Sequence, residues 1–339
     1  MPLKKDLVLV TGAGGHTGTN VVLQLLHAGR SVRATVRRAE DAQRLRAWGC
    51  EVIQGDLTQP FQAHAAVKGC NAVYHCAGVH KRHALNPERE IIQPTLEMSE
   101  GILRACKREK VKKVIYASNA IATGLTPNPS QPLNETQWNE HPLLPYARAQ
   151  TLAEQHARAY AVKYNLNVSF VLPSFVTGPY FYHSTPHIQF ILDFIQRRMP
   201  LSFEGGWQVV DARDVARAMM ACEQNGKPLE RYLLAGEFAT VQGYLRMLEN
   251  LTGIQAPAFE APKRVALVVG EVADALSGLA RASTFISREL VEECMGTYAC
   301  YDTSKARREL RFKPLHAEAS LKDTLEWARE KGFWIPSRG

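Results

Sequence analysis

The chain has 339 residues, 45% of them hydrophobic and 22% charged, with a formal net charge of +8. This length allows two domains of about 150 residues, or one large core with an appended lobe, and such a core needs no disulfide or metal staple; the seven cysteines form no C-x-x-C pair and read as free thiols of a reducing, cytoplasmic compartment. The basic residues are scattered, without a zinc finger, RNP-type motif or long basic arm, which excludes nucleic acid as an expected partner; the excess charge reads first as solubility, with a phosphorylated ligand or an anionic membrane surface as alternatives.

Residues 1–6 lead directly into an apolar run at 7–10 and leave no room for a leader peptide. That run reads as a strand. Thr11-Gly-Ala-Gly-Gly-His-Thr-Gly18 follows it, and a helix is predicted over 17–28. Strand, glycine loop and helix in this order are the context of a dinucleotide-binding fingerprint. Within it Gly12 allows a tight turn, Gly15 lets the backbone approach a pyrophosphate, and Gly18 lets the helix pack close to the sheet. The N–H groups at the helix start, around His16 and Thr17, suit phosphates.

A second strand over 31–36 ends in Arg37 and Arg38. Helices over 41–48, 59–67, 91–109 and 146–164 then alternate with strands over 51–54, 72–75, 113–117 and 168–172. This alternation predicts an α/β fold: a doubly wound parallel sheet of the Rossmann type, helices on both faces, right-handed crossovers. After Pro173 the rhythm changes. Residues 174–186 are rich in Pro, Gly and aromatics and read as a loop over the site. Helices are expected over 187–198, 211–224, 240–251, 262–281 and 321–331, with a last sheet strand at 231–235. The predicted organisation is a dinucleotide-binding domain over 1–178, completed by about 209–237, and a smaller, mainly helical substrate lobe from 179–208 and 238–339. The longest apolar stretch, 265–280, is interrupted by Glu271 and Asp274 and does not suit a membrane span.

Eight stretches carry a resemblance. The glycine loop has the form TGxxGxxG. Gly55-Asp56-Leu57 fits a GDL element, and Val73-Tyr-His-Cys-Ala-Gly78 fits a VxHxAG strand end. Ile115-Tyr-Ala-Ser-Asn-Ala120 falls where a catalytic serine strand is expected, and Pro145-Tyr-Ala-Arg-Ala-Gln-Thr-Leu-Ala-Glu154 fits PYxxSKxxAE. Pro173-Ser-Phe-Val-Thr-Gly-Pro179, Val210-Asp-Ala-Arg-Asp-Val-Ala216 and Tyr301-Asp-Thr-Ser-Lys-Ala-Arg-Arg-Glu-Leu310 complete the set. The chain resembles the extended short-chain dehydrogenases/reductases, the NAD-dependent epimerase/dehydratase family. Within them it is most similar to the dihydroflavonol-reductase-like and hopanoid-associated sugar-epimerase-like branches.

The resemblance implies a nicotinamide cofactor. Members that prefer NAD usually carry an acidic residue where Arg37 and Arg38 stand. A guanidinium suits a 2′-phosphate, so NADP(H) is expected. By resemblance Asp56 holds the adenine amino group, Ala77 lines the adenosine pocket, and Leu57, Pro173 and Val176 join the cofactor contacts. The family also implies a tyrosine that moves a proton, a lysine four residues later that lowers its pKa, and a serine that holds the substrate oxygen. Tyr146 matches the tyrosine. Gln150 stands at the lysine position and Asn119 at the serine position, with Ser118 beside it. Gln150 can hydrogen-bond a ribose but carries no charge. Tyr146 is therefore expected near a phenol's ordinary pKa of about 10, with reduction favoured over oxidation. Asn119 can hold a carbonyl oxygen through its amide.

His75, His80 and His83, at and after the fourth strand, are the alternative acid–base groups. A metal site is not expected. The substrate pocket is assigned to His80, Phe175, Tyr180, Tyr182 and Trp207, with Phe203 and His183 in the same segments, and its aromatics suit a flat or apolar substrate. Three functions follow: an NADPH-dependent reductase of a small apolar or aromatic ketone or aldehyde; a sugar-nucleotide epimerase or dehydratase, or other chemistry on the same scaffold, with Arg197 and Arg198 as a diphosphate pair; or an impaired NADP(H)-binding sensor or partner protein. Resemblance also implies a homodimer through the helices 91–108 and 146–164.

Overall fold

The short apolar runs of the first half become strands buried on both faces. In the computed structural model, which describes residues 6–79, 84, 86–199, 201–267 and 288–335, β1 (Leu7–Thr11) sends Val8 and Val10 into one apolar cluster and Leu9 into another. A strand covered on both faces reads as a continuous apolar run, not an alternating one. The chain continues through α1 (His16–His27), β2 (Ser31–Val36), α2 (Ala39–Ala47), β3 (Glu51–Gln54), α3 (Pro60–Val67), β4 (Ala72–His75), α4 (Gln93–Glu109), β5 (Lys113–Ala117), α5 (Pro145–Tyr164) and β6 (Val168–Pro173). Then come β7 (Phe175–Thr177), α6 (Pro186–Ile195), β8 (Ser202–Phe203), β9 (Gly206–Asp211), α7 (Ala212–Asn225) and β10 (Arg231–Leu234). Seven strands form one parallel sheet in the order β10-β6-β5-β4-β1-β2-β3. The order reverses between β1 and β4, so the loops after them diverge and leave a crevice at the carboxyl edge of the sheet.

Local chemistry sets the helices that face this crevice. Pro145 opens α5 at a position where no N–H is needed. The buried face of α5 is mostly alanine (Ala147, Ala149, Ala153, Ala157 and Ala161), so the helix lies close against its neighbours and Tyr146 is fixed by the scaffold. Asp211 caps α7 through the Arg213 N–H at 2.8 Å.

The remaining elements are β11 (Glu237–Thr240), α8 (Val241–Thr252), β12 (Glu260–Ala261), α9 (Arg288–Cys294), β13 (Tyr298–Ala299), α10 (Ser304–Leu310) and α11 (Ala317–Glu330). The lobe is mainly helical, as expected, and also contains a second sheet that the sequence reading did not give, with β9 at its centre, β11 on one side, and β7 and β13 on the other. Its outer strands are two to four residues long, too short to show a period of two. Of the helix expected over 262–281, residues 263–267 are helical and those from 268 on lie outside the described residues. Among the described residues no helix is long and apolar enough to cross a membrane.

Candidate active site

A cavity of about 820 Å³ runs from the glycine loop, past the start of α5, to an apolar end between β9, residues 261–266 and α9. Gly12, Gly15, His16, Thr17 and Gly18 all line it. Gly12 has φ +63°, and a Cβ there would meet Ala77 Cα and the Cys76 carbonyl oxygen at 2.8 Å. That turn brings Ala77 to the cavity wall. Gly18 serves a different neighbour than expected: a Cβ on it would overlap the Gly12 carbonyl, so it closes the loop on itself and not the helix on the sheet. Gly15 is open by comparison, with only the Gly12 carbonyl oxygen at 3.3 Å. It is the N-cap of α1, whose first turn holds no acidic residue. A helix N-terminus with unbonded N–H groups and no competing acid is a seat for phosphate.

Two histidines near the loop are structural. His16 is buried, its Nε2 donates to the Pro179 carbonyl at 3.1 Å, and burial pushes its pKa down to about 4. Its backbone can serve a phosphate, but its ring anchors the 178–184 segment. His75, an alternative acid–base group, is fully enclosed and does not line the cavity. The Thr11 hydroxyl accepts from the Cys76 and Ala77 N–H groups and donates to His75 Nδ1 at 2.8 Å. Burial lowers the His75 pKa to about 4, so it stays neutral and cannot supply the proton chemistry. His80 and His83 lie outside the described residues.

Arg37 and Arg38 line the cavity where β2 ends, as their place at the strand end implied. Leu57 lines it as well, while Asp56 does not. The Asp56 carboxylate is exposed, and its Oδ1 accepts the Thr58 N–H at 3.0 Å, which forms the turn into α3. Asp41, which the sequence reading passed over, is buried at the cavity wall against the glycine loop.

At the centre, Tyr146 and Gln150 sit one turn apart on α5, and both line the cavity with Asn119 and Ser118. Asn119 Oδ1 accepts the Ile121 N–H at 2.9 Å. That fixes which end of the carboxamide faces inward: the NH₂ donates to the Tyr146 oxygen. Burial pushes the Tyr146 pKa above the ordinary phenol value, partly offset by this bond. The expectation of a value near 10 is therefore corrected upward: the missing lysine is joined by dehydration, and both favour the neutral phenol. Ser118 is corrected as a catalytic candidate. Its hydroxyl donates to Glu154 at 2.5 Å, and Glu154 is paired at 2.6 Å with the buried Arg231. Gln150 is buried and uncharged.

Beyond Tyr146 the wall is apolar and aromatic. Phe175 stacks on Trp207 with centroids 4.6 Å apart, and Phe203, Phe190, Met199, Leu201, Val265, Val291 and Met295 continue the lining. Pro173 and Val176 line it near Tyr146, with the Val176 N–H donating to His187 Nδ1 at 3.0 Å. Tyr180 and Tyr182 do not line the cavity. Tyr180 has φ +67° and packs on Trp327, and Tyr182 packs on Trp327, Trp48 and the Arg44 guanidinium. They clamp their segment from outside, because the left-handed turn at Tyr180 and the buried Phe181 direct them away from the crevice. Arg197 and Arg198 are also absent from the lining; Arg197 turns left-handed after α6, and Arg198 reaches Asp193 at 3.6 Å. Among the described residues no group of three metal-ligating side chains is assembled. Cavity residues such as Met199, Val291 and Met295 had no sequence signal, since nothing local distinguishes a cavity-lining methionine from a core one.

The profile of the NAD dependent epimerase/dehydratase family matches residues 8–235. Sterol demethylase protein B of Methylococcus capsulatus is 30% identical over 332 residues, spanning 96% of this chain and 99% of that protein. A putative dihydroflavonol 4-reductase of Synechocystis sp. is 28% identical, spanning 97% of this chain and 96% of that protein. Among solved structures, gox2253 matches with a TM-score of 0.85 at 28% identity, over 97% of this chain and 100% of that one.

Proposed function

The chain belongs to the NAD dependent epimerase/dehydratase family, and we propose that within it the protein is an NADPH-dependent reductase of an uncharged apolar or aromatic ketone or aldehyde, with Tyr146 as proton donor. It is an NAD(P)-dependent oxidoreductase of the extended short-chain dehydrogenase/reductase type; the 2′-phosphate and the substrate class are the proposal.

One observation carries the reading, the distribution of charge in the cavity. Among the described lining residues the only full charges are Arg37, Arg38 and Asp41, and His183 bridges Asp41 and Arg38 beside the glycine loop. Among the described residues the lining beyond Tyr146 holds no lysine, arginine, aspartate or glutamate. An ionised group enclosed without a partner costs several kcal/mol. A nucleoside diphosphate sugar would bring its phosphates into this region, and Arg197 and Arg198 are not there to meet them. An uncharged ring system meets apolar and aromatic walls instead. The two curated relatives are named for a sterol and a dihydroflavonol, both uncharged multi-ring compounds.

The residues fit a nicotinamide dinucleotide: the open space above Gly15, the acid-free start of α1, and the arginines at the end of β2. When bound, that cofactor supplies the two electrons that reduce a carbonyl carbon. The chain's own part is the proton and the orientation. Asn119 donates to the phenol oxygen of Tyr146, so the O–H is what the phenol has to offer a substrate carbonyl. Burial keeps that proton on the phenol until negative charge develops on the substrate oxygen. Gln150 offers both donor and acceptor to a ribose without the charge that would draw the proton off.

The test is NADPH consumption with a panel of uncharged aromatic and alicyclic ketones and aldehydes, set beside conversion of UDP-glucose to its epimer followed by product analysis, since epimerisation consumes no cofactor. Turnover of the former and none of the latter is the expected result. Calorimetry should give at least ~10-fold tighter binding of NADPH than NADH, because one charged hydrogen bond contributes roughly 1.5–3 kcal/mol. Arg37→Ala should erase most of that difference. Equal affinities would remove the NADPH assignment, and tight binding without turnover on any carbonyl would leave a cofactor-binding sensor.

A further inference from the structure

We infer that His183 is a positioning residue for cofactor specificity: it aims Arg38 at the 2′-phosphate and screens Asp41 from it. The inference rests on the NADPH reading above. His183 lies in the segment between β7 and α6, far in sequence from the end of β2, yet it lines the same part of the cavity as Arg37 and Arg38. Arg38 Nη1 stands 2.8 Å from His183 Nδ1. A guanidinium can only donate, so Nδ1 accepts and the imidazole proton resides on Nε2. That N–H points at the Asp41 carboxylate, 2.9 Å from Oδ2 and 3.1 Å from Oδ1. Asp41 in turn presses on the glycine loop, where a Cβ on Gly14 would meet its Oδ2 at 2.5 Å.

The consequence is electrostatic. A carboxylate beside the glycine loop repels a phosphate dianion, whereas a 2′-hydroxyl can donate a hydrogen bond to it. Asp41 is tied on one side by the His183 N–H and on the other by Arg44 at 2.5 Å, and Arg44 is itself held over the Tyr182 ring at 3.6 Å. With Asp41 satisfied, Arg37 and Arg38 are the charges a 2′-phosphate meets. The segment that carries His183 is anchored, because the Pro179 carbonyl accepts from His16 Nε2 and from Asn20 Nδ2 at 3.1 Å. His183 therefore holds Arg38 from a fixed base, which limits the ordering that phosphate binding would otherwise require.

The test compares NADP⁺ with NAD⁺ and 2′,5′-ADP with 5′-ADP by calorimetry. His183→Ala should weaken NADP⁺ and 2′,5′-ADP about tenfold, with NAD⁺ and 5′-ADP changed less than twofold. His183 is partly exposed, and its variant should melt close to the wild type. His183→Gln should restore most of the loss, since one amide oxygen can accept from Arg38 while the amide NH₂ donates to Asp41. Equal losses for both cofactors, no loss, or failure of the glutamine to rescue would each overturn the inference. If Arg37→Ala abolishes the preference and His183→Ala keeps it, His183 alone falls; a wild type without preference overturns the NADPH reading and this inference together.

Discussion

Tyr146→Phe should lower the rate of carbonyl reduction by on the order of 10²-fold, the usual worth of a positioned general acid, with a smaller change in substrate KM. The site gives this residue one task. Its oxygen is held by the Asn119 NH₂, its pKa is raised by burial, and among the described residues no cation lines the cavity near it to draw the proton away. The pH dependence follows from the sign of that shift. Reduction uses the protonated phenol, which is fully populated below the folded pKa. Since that pKa is above the ordinary ~10, reduction should show no alkaline loss attributable to Tyr146 through the neutral range. Alcohol oxidation needs the phenolate and should be slow at neutral pH, rising only on the alkaline side. Gln150→Lys brings a cation to the position one turn from the phenol, where an opposite charge favours the anion. The oxidation profile should then move to lower pH. Initial rates in both directions from pH 6 to 10 for wild type and the two variants read this out. Unchanged reduction in Tyr146→Phe would take the proton donor away from Tyr146. His75 could not replace it, because it is enclosed and bonded to Thr11.

The parallel sheet was legible because its strands are apolar on both faces and its helices are punctuated by glycine, proline and charge. The cofactor end was legible for a related reason: phosphate binding needs a particular backbone, and backbone constraints leave glycines in the sequence. Tyr146, Asn119 and Gln150 were also legible, since motif spacing placed them on one strand end and one helix turn, and they do line one cavity. What the sequence hid are relations between distant segments. The choice between Ser118 and Asn119 is made by Glu154 and Arg231, which claim Ser118 from 36 and 113 positions away. Tyr180 and Tyr182 looked like pocket aromatics, and a left-handed turn with Trp327 behind it places them outside. The second sheet escaped because strands of two to four residues carry no readable period.

Gly15→Val should leave the protein folded and remove its affinity for NADPH, while Gly18→Val should damage the fold itself. The two glycines stand three residues apart in one loop and look alike in sequence. At Gly15 the backbone is extended, with φ −78° and ψ 167°, which any residue adopts, and a Cβ meets only the Gly12 carbonyl oxygen at 3.3 Å. A displacement of a few tenths of an ångström accommodates it, so the melting temperature should stay near the wild-type value. The isopropyl group then occupies the space where the loop N–H groups would meet a pyrophosphate. Losing two charge-assisted contacts at roughly 1.5–3 kcal/mol each weakens binding by on the order of 10²-fold or more. At Gly18 a Cβ overlaps the Gly12 carbonyl group and presses on Ala13 Cα at 3.0 Å, all of it backbone that cannot rotate aside. Relief requires shifting the loop away from β1 or the start of α1, which disrupts the turn that seats Gly12 against Ala77. Overpacking of this kind costs about 1–3 kcal/mol or more and should appear as a clear fall in melting temperature. Thermal melts and NADPH titrations of both variants separate the two roles: a Gly15→Val protein that melts normally yet binds NADPH as the wild type does would mean that the space above this loop is not where the dinucleotide sits.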